Sequence, residues 1–178
     1  MNKLIKLLTP NQFSRPGIKI KGIKGIVIHW VANTNTSAEA NRLFFENRKN
    51  GKSNYGSAQY IIDLNGDVIQ CIPDNEAAYH AGAKIYKPEV KEKLFNNPNF
   101  YTLGIECTHV KDSGEMSVVT HNSLTQLTLE LCKQYKINPL VYLFRHYDIT
   151  GKICHKWFVD NPVEWEKFKN KIDELLKV

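Results

Sequence analysis

The stretch KGIVIHWV, residues 24–31, constrains the fold of this chain more than any other. Its β-branched and aromatic side chains follow one another almost without interruption, which is typical of a central strand covered on both faces of a sheet. His29 lies inside this run, and a buried polar side chain needs a partner. Taken alone, His29 fits a histidine that is satisfied in the core better than a ligand-binding residue.

Segments after this strand alternate between helical and extended patterns. A helix is predicted first, beginning at Thr36 or Ser37 and ending at Gly51. Its predicted apolar face consists of Ala40, Leu43 and Phe44. Residues 57–73 then predict a β-hairpin, because the sequence Asn65-Gly66 suits a tight turn with positive φ.

The second half of the chain continues the alternation. Residues 75–100 are typical of a surface loop with a short helix, and residues 101–110 predict a strand. The clearest helix is predicted at 121–137, where Ser123 and Gln126 form a capping box, and a last strand at 139–144. A terminal helix begins near Asn161, and its predicted core face consists of Trp165, Phe168, Ile172 and Leu175. The order predicts an α/β fold with a central mixed β-sheet flanked by helices.

Length and composition favour one globular domain. A chain of 178 residues suits a single domain, and 42% hydrophobic with 24% charged residues are ordinary values for a globular protein. The apolar run from Leu4 to Leu8 is interrupted by Lys6 and lacks a small-residue cleavage site, so it does not look like a signal peptide. No stretch approaches the roughly 18 apolar residues of a membrane span. We therefore expect a protein made in the cytoplasm, without stable membrane insertion.

The net charge and the cysteines narrow the possible partners and sites. A formal charge of +6 favours polyanions in general, but the lysines are scattered rather than gathered into an aromatic-interleaved stripe, so no nucleic-acid partner is predicted. Cys71, Cys107 and Cys132 lie in apolar segments and are predicted to be free thiols in the core. Cys154 differs, because its neighbours are polar and titratable.

The stretch RHYDITGKICHKWF, residues 145–158, is notable for its many polar, reactive side chains. From the residues alone this stretch could be a polar loop without a site, and two functional interpretations are also open. In one, His146 or His29 activates Cys154 as a thiolate nucleophile. In the other, the short glycine-containing loop folds back so that His146 and Cys154 reach one metal ion. Asp148 is predicted to orient the loop rather than to bind the ion.

Four motifs with this order and spacing, IVIHW, NEAAYHAG, LGIE and HYDITGKIC, resemble a known family. They are similar to the type 2 N-acetylmuramoyl-L-alanine amidases, the peptidoglycan-recognition-protein-like family, and especially to phage and prophage endolysin catalytic domains. The resemblance runs from about Gly25 to Phe158. It implies an α/β domain with a zinc site in a cleft at one edge of the sheet.

The resemblance also implies roles for individual residues. The implied Zn²⁺ ligands are His29, His146 and Cys154. Glu106 matches a carboxylate that moves protons during attack on the amide, and Lys152 matches a lysine that stabilises the oxyanion. His80 matches a residue that lines the cleft, and we expect it to bind substrate, with a structural hydrogen bond as the alternative.

Some positions depart from the family pattern. Ala58 stands where some members carry a catalytic tyrosine, so no tyrosine is assigned to catalysis, and Gln59 stands where histidine or asparagine is frequent. His155 replaces the usual proline after the ligand cysteine. His109, His121 and His155 match no functional position and are expected at the surface.

The expected activity is zinc-dependent hydrolysis of the amide between N-acetylmuramic acid and L-alanine in bacterial peptidoglycan. Residues 1–178 are expected to form one catalytic domain, with an N-terminal extension at 1–22 and no separate wall-binding domain in this chain. We expect a monomer that acts on the cell wall after release or host lysis. Two alternatives are a module that binds muropeptide without cutting it and a zinc peptidase that cuts within the stem peptide.

Overall fold

A computed structural model describes residues 1–51 and 54–178 of the chain, and a six-stranded mixed sheet forms its centre. The strands are β1 (Lys3–Ile5), β2 (Gly25–Trp30), β3 (Tyr60–Ile62), β4 (Val68–Gln70), β5 (Thr102–Cys107) and β6 (Leu143–Arg145). Their order across the sheet is β1-β4-β3-β5-β2-β6. The hairpin of β3 and β4 is antiparallel and the other neighbouring pairs are parallel. The α/β fold with a mixed sheet is therefore confirmed.

Seven α-helices flank this sheet within the described residues. They are α1 (Ala38–Glu46), α2 (Pro88–Leu94), α3 (Val118–Tyr135), α4 (Pro139–Tyr142), α5 (His146–Thr150), α6 (Lys156–Asp160) and α7 (Pro162–Leu176). Single 3₁₀ turns lie at Asn47–Asn50 and Pro98–Phe100. No helix in the described ranges is long and apolar enough to cross a membrane.

The two faces of the sheet are covered by different helices, because side chains alternate along each strand. On one face, Ile28 of β2 and Ile105 of β5 belong to an apolar cluster that includes Leu127 of α3 and Phe168 of α7. On the other face, Val27 of β2 packs with α2, while residues of β3 and β4 pack with α1. This second face carries the polar site at the ends of β2 and β5.

Several predicted details of the helices are wrong. In α1, Ser37 is the N-cap and Gly51 ends the following turn as predicted, but Phe45 is buried while Leu43 and Phe44 are 44% and 60% exposed. The helix meets the sheet through Ala38 and Phe45, so its buried stripe is rotated from the predicted face.

Two boundaries and one core position also differ. Helix α3 begins at Val118 and not at the predicted capping box, because Ser117 accepts the Thr120 N–H, whereas Ser123 Oγ donates to the Gly66 carbonyl. The predicted strand at 139–144 begins instead with α4, capped by Asn138. Trp165, Phe168 and Ile172 are buried in α7 as predicted, but Leu175 is 36% exposed.

The predicted N-terminal extension, residues 1–22, contributes a strand to the sheet. β1 runs parallel to β4, with Leu4 opposite Ile69. Leu8 is buried in the cluster beneath α1. Thr9 donates to the Glu46 carboxylate through both its backbone N–H and its hydroxyl. The first residues therefore extend the same sheet that carries the polar site.

Candidate metal centre

His29, His146 and Cys154 lie together at the carboxyl ends of the parallel strands. One ligand atom from each residue lies within 4.8 Å of the others, and all three side chains are buried. Cys154 Sγ is 3.6 Å from His29 Nδ1, and the ring centroids of His29 and His146 are 4.8 Å apart. The structure thus brings together the three side chains predicted as metal ligands, in an arrangement that could hold an ion.

The topology explains why residues so distant in sequence meet. His29 is the fifth residue of β2, and the two neighbouring strands β5 and β6 run parallel to β2. His146 follows β6 directly as the first residue of α5. The carboxyl ends of parallel strands meet at one edge, which is the common position for ligand sites in α/β sheets.

A short helix fixes the loop between His146 and Cys154. Asp148 accepts hydrogen bonds from the Arg145 backbone N–H at 2.8 Å and from the Arg145 guanidinium, which caps α5. Gly151 ends α5 in the left-handed conformation, with φ of 82°. The Tyr147 N–H then donates to the Cys154 carbonyl at 2.7 Å, so the chain folds back as the glycine-containing loop suggested. Asp148 has the predicted orienting role.

His80 links the cluster to the sheet. His80 Nδ1 is 3.1 Å from His29 Nε2, and His80 Nε2 is 3.3 Å from the Thr102 carbonyl oxygen. If His80 Nε2–H donates to this carbonyl, His80 Nδ1 accepts from His29 Nε2–H, and His29 Nδ1 is left with its lone pair facing Cys154. In this arrangement the hydrogen bonds would give His29 the tautomer that a metal ligand needs.

Gly104 makes room for His80. A β-carbon at Gly104 would lie 2.6 Å from His80 Cγ, and the Gly104 N–H donates to Gln59 Oε1 at 2.7 Å. Gln59 is fully buried and donates in turn to the Glu76 carbonyl. Sequence reasoning assigned no role to Gly104 or Thr102, although the glycine inside the apolar strand LGIE was a visible signal of close backbone approach.

Glu106 and Lys152 complete the polar site. Glu106 lies opposite His29 in the pairing of β5 with β2, and its buried Oε2 has no hydrogen-bond partner among the described residues. Burial raises the pKa of the Glu106 carboxyl to about 8, against the lowering effect of the Lys152 charge. Lys152 is exposed and lines the same cleft. With this pKa the Glu106 carboxyl is largely protonated at pH 7, and a cation bound beside it would favour the carboxylate, whose buried oxygen is then an acceptor available to a bound group.

The protonation of the cluster suits metal binding. Burial, together with the neighbouring His146, holds the pKa of His29 well below its usual value, and burial lowers the pKa of His146 to about 4. Both rings are thus neutral and able to donate a lone pair. Burial raises the pKa of the Cys154 thiol to about 12, with a further contribution from Glu106. A thiolate at this position requires a nearby cation, which a bound metal would supply.

The cluster lies on a cleft of about 710 Å³. Its lining includes the predicted site residues together with Trp30, Arg48, Tyr55, Tyr79 and Lys84. His80 is 7% exposed, so it is part of the cleft wall while bonded to His29. A smaller groove of about 270 Å³ shares Glu106, Lys152 and Cys154 and adds Phe44 and Ile153. The candidate centre therefore borders two adjoining grooves.

The remaining histidines are not all at the surface. His109 and His155 are 1% and 0% exposed, which contradicts the prediction, whereas His121 is only half-buried. His109 stacks on Trp30, and His155 packs against Phe158. Within the part of the chain that the structure describes, neither ring nitrogen of His155 has a hydrogen-bond partner. Cys71, Cys107 and Cys132 are buried free thiols as predicted.

The fold and the cluster define an α/β domain with a candidate metal centre, and comparison with known proteins gives its family. Residues 19–157 match the family model described as N-acetylmuramoyl-L-alanine amidase. The chain therefore belongs to this family.

Individual relatives agree with this assignment. A probable N-acetylmuramoyl-L-alanine amidase of Bacillus licheniformis is 34% identical over 178 residues, covering 99% of this chain and 48% of the relative. The amidase CwlL of the same species is 36% identical, with the same coverage of the two chains. The chain thus spans about half the length of the curated relatives it matches. A mutant endolysin from Bacillus subtilis shares the fold, with a TM-score of 0.74, 22% identity, and coverage of 97% of this chain and 99% of the endolysin.

Proposed function

We propose that this protein hydrolyses the amide between N-acetylmuramic acid and L-alanine in bacterial peptidoglycan, and that it uses a zinc ion. The main support for the proposal is the cluster of His29, His146 and Cys154, whose ligand atoms lie within 4.8 Å of one another. The cluster lies beside the buried Glu106, in a chain of the amidase family. The proposal treats residues 1–178 as one catalytic domain and places its action at the cell wall.

The donor set fits zinc. Two imidazoles and one thiolate are ligands of the type and number that proteins supply to a catalytic zinc ion. His29, His146 and Cys154 would hold the ion, and His80 would orient His29 through the hydrogen bond to Nε2. When bound, zinc supplies a Lewis acid that polarises the scissile carbonyl and lowers the pKa of water toward about 7.

Residues of the chain then move the protons and stabilise the charge. Glu106 lies next to His29 on the neighbouring strand, where it would take a proton from the attacking water and return it to the leaving nitrogen. Lys152 lines the cleft and would stabilise the negative charge that develops on the carbonyl oxygen of the amide. His80 lines the cleft, and the substrate contact predicted for it is part of this proposal.

Three other functions predict different results. A muropeptide-binding module would leave the substrate intact, and a peptidase of the stem peptide would release a different new amino terminus. A cysteine nucleophile is favoured by one distance, the 3.6 Å from Cys154 Sγ to His29 Nδ1. This third function would require activity without a metal and a covalent acyl group on Cys154.

The deciding experiment combines metal analysis with digestion of purified peptidoglycan. We expect close to one zinc per chain, new N-terminal L-alanine and intact muramic acid by mass spectrometry, and loss of activity on chelation that zinc restores. Full activity of the metal-free protein would contradict the mechanism. Free reducing sugars or another amino terminus would contradict the proposed bond.

A matched pair of cysteine variants tests the ligand. Cys154→Ser should lower zinc content together with activity, because a hydroxyl is a much poorer zinc ligand than a thiolate. Cys132→Ala removes a buried thiol from the apolar cluster around α3 and should keep the zinc. Equal zinc content in the two variants would remove Cys154 from the site.

A further inference from the structure

Six lysines form a basic face around α2, which we define as Lys21, Lys24, Lys84, Lys87, Lys91 and Lys93. Across residues 1–51 and 54–178, none of these lysines has a carboxylate within ion-pair distance. Lysines elsewhere often do, as in the pairs of Lys6 with Glu39 and of Lys167 with Glu164. The basic face therefore concentrates lysine charge that no neighbouring carboxylate neutralises within the described residues.

Aromatic rings support four of these ammonium groups. Lys24 Nζ lies 4.3 Å from the centroid of Phe95, and Lys87 Nζ lies 4.3 Å from that of Tyr147. Lys21 and Lys93 lie over Phe100 and Phe144 at 5.3 and 5.9 Å. The ammonium groups thus lie over aromatic rings, whose faces attract a cation.

These rings belong to one side of the molecule. Phe144 packs in the cluster beneath α2, with Tyr101 at its margin, and Phe95 lies 4.8 Å from Tyr101. The acids of α2, Glu89 and Glu92, are the nearest negative charges along this helix. The six lysines exceed these two acids by four, so the face keeps a positive excess within a chain whose net charge is +6.

The basic face begins at the cleft. Lys84 lines the cleft together with His146 and Lys152. The Lys87 N–H donates to the Ile149 carbonyl at 3.0 Å, which ties the start of α2 to α5. Lys87 and Lys93 also line a second groove of about 300 Å³, in which Asp148 and Glu166 are engaged by Arg145 and Lys169. A polyanion bound across α2 would therefore lie next to a substrate in the cleft.

We propose that the basic face binds a phosphodiester-linked anionic polymer of the bacterial wall and holds the enzyme on its substrate. This inference rests on the proposed function, because a wall hydrolase meets such a polymer beside its cleft. Flexible ammonium groups are point charges that suit a flexible chain of phosphates without requiring a fixed shape.

Two other polyanions fit the face less well. An anionic membrane would be bound by an amphipathic helix with a free apolar side, but α2 buries Val90 and Leu94 in the core. Single-stranded nucleic acid would need several exposed rings for base stacking, whereas of the four rings under these lysines only Phe95, at 48%, is exposed.

Two variants of equal charge test the proposal. The face variant carries Lys24→Gln, Lys87→Gln and Lys93→Gln. The control variant carries Lys133→Gln, Lys136→Gln and Lys171→Gln. These exposed lysines lie on α3, at its C-cap and on α7, and within the described ranges they too have no carboxylate at ion-pair distance. Both variants lower the formal charge by the same amount, and neither removes a residue proposed for catalysis.

Binding is measured by co-sedimentation at low salt with polymer-bearing walls and with the same walls after chemical removal of the polymer. We expect the face variant to bind polymer-bearing walls about tenfold more weakly than the wild type, and the control variant within about twofold. On extracted walls the three proteins should bind alike. Equal losses in both variants, or a loss that persists on extracted walls, would overturn the proposal, as would tighter binding to phosphatidylglycerol vesicles or DNA.

Hydrolysis of a soluble muropeptide separates this inference from the proposed function. Both variants should cleave it at the wild-type rate, because it carries no polymer. If the wild type does not cleave the muropeptide, the proposed function fails while the binding comparison still reports on the basic face. A selective loss of muropeptide cleavage in the face variant would place the lysines in the active site and overturn the inference.

Discussion

Neighbouring residues of the same two strands serve opposite faces of the sheet in very different ways. Ile28 and Ile105 are paired in register and pack into the apolar cluster with α3 and α7. The next pair, His29 and Glu106, points to the other face and forms the polar site. One face thus contributes mainly to stability, while the other accepts buried imidazoles and a carboxyl that stability alone would not favour.

The largest effect is expected for Glu106→Gln, which keeps the size of the side chain and removes its proton transfer. Hydrolysis of peptidoglycan should fall by about 10²–10⁴-fold. Zinc content and the urea midpoint should stay close to those of the wild type. The control is Glu92→Gln on the exposed side of α2, and wild-type turnover in Glu106→Gln would remove this residue from the mechanism.

On the apolar face, a substitution should lower stability and leave activity nearly unchanged. Phe168 is 2% exposed and packs against Phe158 and Trp165, so Phe168→Ala should lower the free energy of unfolding by about 3–5 kcal/mol. Urea denaturation measures this loss. Zinc affinity and turnover of the folded fraction should be nearly unchanged, and a parallel loss of zinc would show that the two faces are coupled.

A smaller effect is expected at Gly104, a residue of β5 that makes room for His80 next to the metal site. Gly104→Ala forces the His80 ring to move, because the new β-carbon would lie 2.6 Å from its Cγ. His29 then loses its orienting partner, and zinc affinity should fall by about 10–100-fold. Gly82→Ala is the control, since the nearest atom to its β-carbon lies 3.9 Å away. Equal zinc affinities would mean that His80 does not position His29.

The smallest effect concerns the stability that Glu46 contributes and its dependence on pH. Although burial opposes it, hydrogen bonds from Lys49 and Thr9 lower the pKa of Glu46 to about 2. A folded pKa below the ordinary value of about 4.5 means that the stabilisation is complete above pH 4.5 and is lost as the pH falls toward 2. Glu46→Gln should therefore cost less than about 1 kcal/mol at pH 7 and progressively less below pH 4.5. A cost that does not change with pH would contradict this, and urea melts at several pH values measure it.

Sequence patterns predicted the parts of the fold that local chemistry decides. The β-branched run of β2, the Asn65-Gly66 turn and the cap at Ser37 were correct, because each depends on a few adjacent residues. The buried stripe of α1 was not, because Leu43, Phe44 and Phe45 are equally apolar and only tertiary packing selects Phe45. The start of α3 was missed since Ser117 and Ser123 both precede suitable helical residues, and Ser123 bonds to the hairpin turn instead.

The site, too, could be predicted only in part from the sequence. The motifs and the resemblance gave the candidate residues, and the structure brings His29, His146 and Cys154 together. The hydrogen-bonded chain from Thr102 through His80 to His29 could not be predicted, because it depends on the close approach of β5 that Gly104 permits. The burial of His109 and His155 was unpredictable for a related reason, since both lie in loops whose path is set by packing around Trp30 and Phe158.

The pairing of His29 with Glu106 has a consequence for insertions and deletions. In a sheet, a shift of one residue turns every side chain of a strand to the opposite face. Deleting a single residue within β5 before Glu106 would therefore place an isoleucine or cysteine beside His29 and direct the carboxyl toward α3. The connection from β2 to β5 runs through more than 70 residues, and changes of its loop lengths leave the pairing intact. Variation among relatives should therefore concentrate in that connection, while the spacing within the two strands stays constant.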